Sequence, residues 1–306
     1  MSLLRQGDSG IEAVALDIVR EGGRDGGLSV RLGSVDALPD KLTLMVDGRP
    51  VAQFRGRPGE DRVIAGMAAL KVAQALADAV TIEIVAGRGT VVATPSTSGL
   101  AEALRFMDSR QGRTGTRGAL YAHGNAPDTS VPQPPELPAV PQVPSPDADT
   151  AVRLTDAEVA GALALAKCDA SLMADMVADL FPLDDRHALL LLPCEAGAYN
   201  VSAVPLIASG NGGARSLSIA RFDFAPGFTG APGAPPLVVN ALWDSRRGIL
   251  SSLAKGRGSG DCGASEDYVW DGSAFRLVES RAMHVCRGAW DWIRLWTARP
   301  VRMREP

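Results

Sequence analysis

"DYVWDGSAFRLVESR", residues 267–281, decides the character of the second half of the chain. Asp271-Gly272 stands between alternating Tyr268/Trp270 and Phe275/Leu277, the pattern of two antiparallel strands joined by a tight turn. Working outward, "HALLLLPC" (187–194), "SLSIARFDFA" (216–225), "PPLVVNALWD" (235–244) and "RGILSSLAKG" (247–256) read as further strands. Ahead of them, Leu154-Thr155-Asp156-Ala157-Glu158-Val159 is a helix start. Thr155 can cap, Glu158 can close a capping box, and Leu154 can staple onto Val159. That helix is expected to end near Lys167. Residues 153–306 are therefore expected to form a mainly antiparallel β domain with one helix at its entrance.

The first half reads differently. "LSVRLGSV" (28–35), "LTLMVDGRPVAQF" (42–54) and "VTIEIVAGRGTVVATP" (80–95) have strand character, with hairpin signals at Asp47-Gly48 and Gly87-Arg88-Gly89. Met67 to Ala79 has the alanine-rich, apolar make-up of a packed helix. After Ser98, Leu100, Leu104 and Met107 fall on one helical face. This pattern predicts an α+β chain, with a small mixed α+β domain over residues 1–122. Between the halves, "APDTSVPQPPELPAVPQVPSPDADT" (126–150) carries eight prolines, which remove ladder donors and favour extended polyproline II. Residues 123–152 read as a semi-rigid linker, a simpler account than a ligand for a proline-recognising domain.

The 306 residues suffice for two domains with real cores, and 46% apolar content fits a folded chain. A net charge of −4 gives no basic field, which argues against a nucleic-acid partner. No apolar run approaches the length of a membrane span. All five tryptophans lie in the last quarter; "WDWIRLW" (290–296) reads as core packing before it reads as a sugar-stacking platform.

The four cysteines, Cys168, Cys194, Cys262 and Cys286, include no C-x-x-C pair, so zinc-ribbon and thioredoxin-like readings lose their support. Buried free thiols and disulfides both remain open. Cys194 and Cys262 sit beside Pro or Gly at apparent element ends, which favours disulfides, and nearest neighbours predict Cys168 with Cys194 and Cys262 with Cys286. Each loop of roughly 25 residues would contribute on the order of 3 kcal/mol. Disulfides imply export, yet "MSLLRQGDSG" holds no signal-peptide core. Either the thiols are free in the cytosol, or the chain begins after its original N-terminus.

"KGRGSGDCG" (255–263) contains Gly258-x-Gly260-x-x-Gly263, the spacing of a dinucleotide turn. Such a turn must open a helix, whereas a hairpin follows here, so no nucleotide cofactor is expected. A second reading brings Arg246, Lys255, Arg257 and Arg287 around the loop as an anion site, with a Cys262–Cys286 bond drawing Arg287 near. The simpler reading is a glycine turn with solvated charges. His284 and Cys286 in "MHVC" lack further ligands, so no metal is expected. "PLDDRH" (182–187) reads as a polar turn into a strand. No G-x-S-x-G elbow, H-E-x-x-H helix or P-loop occurs.

"GAYN" (197–200), "KGRGSGDCG", "WDGSAFRLVE" (270–279) and "CRG" (286–288) together resemble the domain-of-unknown-function 1176 family. "ALRFMDSRQGRTGT" (103–116), followed by the proline stretch, is similar to that family's middle segment, and the N-terminal half to the invasion-associated locus B type of domain. The resemblance implies an exported bacterial envelope protein, periplasmic, with paired cysteines. It supplies no catalytic residues. Family members begin with a signal peptide and a further cysteine pair near a tryptophan, so this chain is expected to begin inside the family pattern. The function expected is a non-enzymatic binding or structural module for an envelope component or partner protein. The alternative is a hydrolase or transferase on an anionic envelope glycan, with Asp244, Asp261 or Glu266 as acid or base.

Overall fold

The computed structural model describes residues 2–5, 14–34, 37–57, 60–87, 89–146, 154–168, 180–210, 215–227, 234–286 and 291–303. Met1–Glu136 form the body of one compact unit, and Leu137–Cys286 with Trp292–Pro306 form the other. The α+β expectation is overturned. Among the described residues the chain is mainly β, 44% strand against 15% helix, with three α-helices.

The first unit holds strands β1 (Ser2–Arg5), β2 (Val14–Arg20), β3 (Leu28–Ser34), β4 (Lys41–Val46), β5 (Arg49–Arg55) and β6 (Arg62–Ala65). Helix α1 (Gly66–Ala77), strands β7 (Ile82–Ala86) and β8 (Thr90–Ala93), and helix α2 (Leu100–Arg110) complete it. Two four-stranded antiparallel sheets, β1-β2-β3-β6 and β5-β4-β7-β8, share one core. On β3 and β4, Leu28, Val30, Leu32 and then Leu42, Leu44, Val46 alternate inward, as a half-buried strand requires. On β2, residues 14–18 are buried without alternation. Such a run carries no periodic signal, so β2 escapes the sequence reading, whereas its neighbour β3 is read from 28–35. The two helices do form, but at 12 and 11 residues they cover a β core and do not set the architecture.

The α2 terminus explains the "DSRQGRT" segment. Asp108 is 1% exposed, and its carboxylate accepts the N–H groups of Leu120, Tyr121 and Ala122 at 2.8, 2.8 and 3.0 Å. Gln111 Nε2 donates to Arg20 O, and the buried Arg113 guanidinium donates to Gly23 O. These groups fix the irregular chain from 111 to 124 because each buried backbone donor needs a partner.

The second unit opens with β9 (Ala139–Gln142) and α3 (Asp156–Ala166), whose capping box is formed: Glu158 N–H donates to Thr155 Oγ1 and Thr155 N–H to Glu158 Oε2. Strands β10 (Leu180–Pro182), β11 (His187–Ala196), β12 (Val201–Ser209), β13 (Ser216–Ile219) and β14 (Val238–Val239) make one antiparallel sheet centred on β12. Pro205 lies inside β12, between the segments paired with β13 and with β14, where its missing N–H costs no ladder bond. A second sheet is the meander β15 (Leu242–Asp244), β16 (Ile249–Lys255), β17 (Gly263–Trp270), β18 (Phe275–Met283) and β19 (Ile293–Thr297). Finally β20 (Arg299–Arg302) pairs in parallel with β9.

The β17–β18 hairpin closes on Trp270 opposite Phe275, so its loop has four residues, Asp271 to Ala274. Asp271 Oδ1 accepts the Ser273 and Ala274 N–H groups, both at 2.7 Å, and this side-chain capping lengthens the turn. The proline-rich stretch is divided between the units. Pro132 and Pro134 lie against Gly112 and Gly22, where a Cβ would stand 2.8 and 3.1 Å away. Farther on, β9 enters the ladder with β20, and Val143 N–H donates to Trp270 O. Both disulfides form, Cys168–Cys194 and Cys262–Cys286. No described helix is long and apolar enough to cross a membrane.

Candidate functional site

The glycine loop joins β16 to β17, so no helix follows its glycines. Arg257 and Asp261 close it from within: Nε donates to Oδ1 at 2.6 Å and Nη2 to Oδ2 at 2.5 Å, while Ser259 Oγ donates to Oδ1 at 2.7 Å. A bidentate fork of this kind neutralises the cation in place. Two glycines here are steric requirements. A Cβ on Gly256 would meet Cys262 Sγ at 2.7 Å, and one on Gly263, at φ +143°, would meet Ala254 O at 2.0 Å. Tyr199 Oη donates to Gly256 O at 3.1 Å and Asn200 Nδ2 to Lys255 O at 2.9 Å. Asn240, itself in the left-handed region, donates to Asn200 Oδ1 and Leu253 O. "GAYN" and "KGRGSGDCG" are thus two sides of one knot. Asp261 also approaches Cys262 and Cys286, but disulfide sulfurs are not thiolate ligands.

Of the cations proposed for the loop, Arg246 does not share its surface. Lys255 ends β16 beside it and Arg257 is clasped by Asp261. Arg246 lies in the β15–β16 turn, at the far end of a seven-residue strand spanning about 20 Å. Arg287 and Trp290 lie outside the described residues. The candidate acids are also apart. Asp244 Oδ1 accepts the Arg247 N–H, Asp261 is in the loop, and Glu266 is buried midway along β17.

Arg246 enters a different arrangement. With Arg247 and Arg302 it lines a cleft of about 230 Å³, whose remaining wall includes Ser145, Ser245 and Gln142, with no carboxylate among the described residues. None of the three guanidinium groups has an ion-pair partner among the described residues. Gln142 assembles them. It is 5% exposed, and its Nε2 donates to Arg247 O at 2.7 Å and Gly248 O at 3.2 Å. Its backbone is the ladder partner of Arg302, and its carbonyl accepts the Met303 N–H. One residue of the proline-rich stretch therefore ties both arginine-bearing segments together. Nothing in local sequence pairs 142 with 302; the two cations of "DSRRG" (244–248) were the one legible half.

Residues 3–299 match the family described as "Protein of unknown function (DUF1176)". The chain belongs to this family. Within the DUF1176 match lie the Tyr199/Asn200 knot, the Asp108 lock, and Arg246 and Arg247 of the cleft. Arg302, which completes the cleft, lies just past its end. A similar protein is "Uncharacterized protein YpfG" of Escherichia coli (strain K12), 33% identical over 213 residues, which cover 67% of this chain and 60% of that protein. The match therefore spans less than two thirds of the relative's length. No solved structure matches the chain.

Two further polar clusters hold the second unit. Asp184 turns the chain between β10 and β11, accepting the Arg186 and His187 N–H groups at 2.8 and 2.9 Å. It also meets His187 Nδ1 at 2.9 Å and accepts from Trp270 Nε1 at 2.8 Å, which joins the two sheets. At α3, Arg215 forks onto Glu158 at 2.8 and 3.0 Å. That fork, helped by the Thr155 N–H, holds the Glu158 carboxyl down at about 2.

Proposed function

We propose that this DUF1176 protein is an exported, periplasmic envelope protein that binds its target and does not transform it. Its second unit takes an anionic group of an envelope component at the Arg246–Arg247–Arg302 cleft. One observation carries the reading: three arginines line one concave site whose described lining holds no carboxylate. Converging unpaired cations cost electrostatic energy in the free protein, and an oxyanion relieves it through forked, charge-assisted hydrogen bonds. Two disulfides suit an oxidising compartment. The acid–base alternative draws less support. Asp244 and Glu266 stand two strands and three residues of register apart, roughly 14 Å, on opposite faces of the sheet, and Asp261 already holds Arg257.

Titration of the protein with inorganic phosphate and with a short polyphosphate, followed by backbone amide shifts, tests this. Shifts should centre on 245–248 and 302, weaken with salt, and disappear in Arg246→Ala/Arg302→Ala while surviving Lys255→Ala. Shifts that instead follow Lys255 and Arg257, or no shifts at all, defeat the assignment.

A further inference from the structure

Four residues stand directly opposite one another across four neighbouring strands. Ser252 on β16 faces Glu266 on β17, Glu266 faces Ser280 on β18, and Ser280 faces Trp296 on β19. Directly opposed residues project from the same face of a sheet, so these form one row running from the core to the sheet edge. Exposure rises along it: Ser252 is 2% exposed, Glu266 4%, Ser280 is half-buried, and Trp296 is 44% exposed.

The polar capacity of the row is unevenly used. Ser252 Oγ accepts the Val239 N–H. Glu266 accepts the Gly227 N–H, and a Cβ at Gly227 would stand 2.7 Å from Glu266 Oε1. Ser280 Oγ has no hydrogen-bond partner among the described residues. On the same face of β17, Tyr268 is 0% exposed and its Oη also lacks a partner among the described residues. Burial pushes the Glu266 carboxyl up from its ordinary value. The other face of the sheet carries ion pairs and a hydroxyl–carboxylate bond. Glu279 pairs with Arg281 at 2.5 Å and Arg294 at 3.4 Å, and Ser251 Oγ donates to Asp267 at 2.6 Å.

We infer that this row is a saccharide-binding strip, on which a pyranose ring stacks against the Trp296 indole with its hydroxyls toward Ser280 and Glu266. A sugar ring presents an apolar C–H face and a rim of groups that both donate and accept. The row offers a partly exposed indole, then a hydroxyl with no partner among the described residues, then a buried carboxyl, at inter-strand spacings of about 5 Å. An extended peptide on the β19 edge would use backbone groups and leave Ser280 unanswered. The strip is separate from the arginine cleft, and neither reading depends on the other.

The test uses the full chain labelled with nitrogen-15 and titrated with cellohexaose and chitohexaose, both neutral. One indole N–H resonance, absent from the Trp296→Phe spectrum, is expected to move. Affinity should fall about tenfold or more in Trp296→Ala, partly recover in Trp296→Phe, and fall several-fold in Ser280→Ala. Arg302→Ala should leave saccharide affinity unchanged. Thermal unfolding of each variant checks that it is folded. The proposal is overturned if neither oligosaccharide moves the Trp296 resonance at millimolar concentration. It is also overturned if Trp296→Ala binds as the parent does, or if the β19 amides respond only to an apolar peptide.

Discussion

Gln142 Nε2 lies 2.7 Å from Arg247 O, which joins the proline-rich stretch to a turn more than 100 residues away. The side chain is buried, and its second bond, to Gly248 O, is buried with it. Gln142→Ala is expected to cost about 1–3 kcal/mol in urea unfolding. Phosphate affinity should fall with it although every arginine remains. A variant that loses stability but binds phosphate unchanged would remove Gln142 from the assembly of the cleft.

Gly248 faces the same amide. At φ +64°, with a Cβ that would lie 2.7 Å from Gln142 Nε2, it has neither the backbone freedom nor the space for a side chain. Gly248→Ala should destabilise by about 1–3 kcal/mol, by strain plus displacement of the Gln142 bond. Gly210→Ala is the control, since its φ of +103° is also positive but its Cβ would meet nothing within 4 Å. Chemical denaturation of the two should separate strain from crowding.

The disulfides carry a direct count. Protein prepared under oxidising conditions, then denatured without reductant, should show no reactive thiol among its four cysteines. Replacing Cys262 and Cys286 together by Ser should lower stability by about 3 kcal/mol in the chain-entropy picture. Two or more free thiols in the parent would overturn both the pairing and the compartment drawn from it.

Glu158 predicts an acid-sensitive contribution from the α3 clasp. Its folded-state carboxyl is held at about 2 against an ordinary 4.5, chiefly by the Arg215 fork. A depressed acid stabilises the fold fully above the unfolded value and loses that contribution as pH falls through the folded one. Arg215→Met should therefore be less stable than the parent at neutral pH, with the gap closing between pH 4.5 and about 2. A gap independent of pH over that range would mean that the arginine acts through packing alone.

Asp108 makes the strongest claim on the first unit. Its carboxylate meets three backbone N–H groups at the end of α2. Asp108→Ala should cost at least about 2 kcal/mol, because several buried donors lose their acceptor at once. Hydrogen exchange should show residues 120–122 losing protection first.

Local chemistry determined a good deal of this protein. The capping box at Thr155/Glu158, the strand character of 268–277, the two helices near 67–77 and 100–110, and the absence of a helix after the glycine loop all follow from neighbours in sequence. These features depend on a few residues within one or two turns of chain, and capping, alternation and helical spacing record them directly. That the chain as a whole is mainly β, its helices not setting the class of the first half, was not legible. Strands such as β2 and β12 are buried without alternation or carry a proline, and the partners that license them lie far along the chain. Tertiary structure alone decided that Arg257 belongs to Asp261 and that Arg246 belongs with Arg302. It also decided that Gln142 holds that pair together, and that Glu266, Ser280 and Trp296 stand in line. Apart from the Arg257–Asp261 pair, which closes within one loop, each depends on segments brought together by sheet register, and register is set by how whole strands bury their faces, which no local stretch of residues encodes.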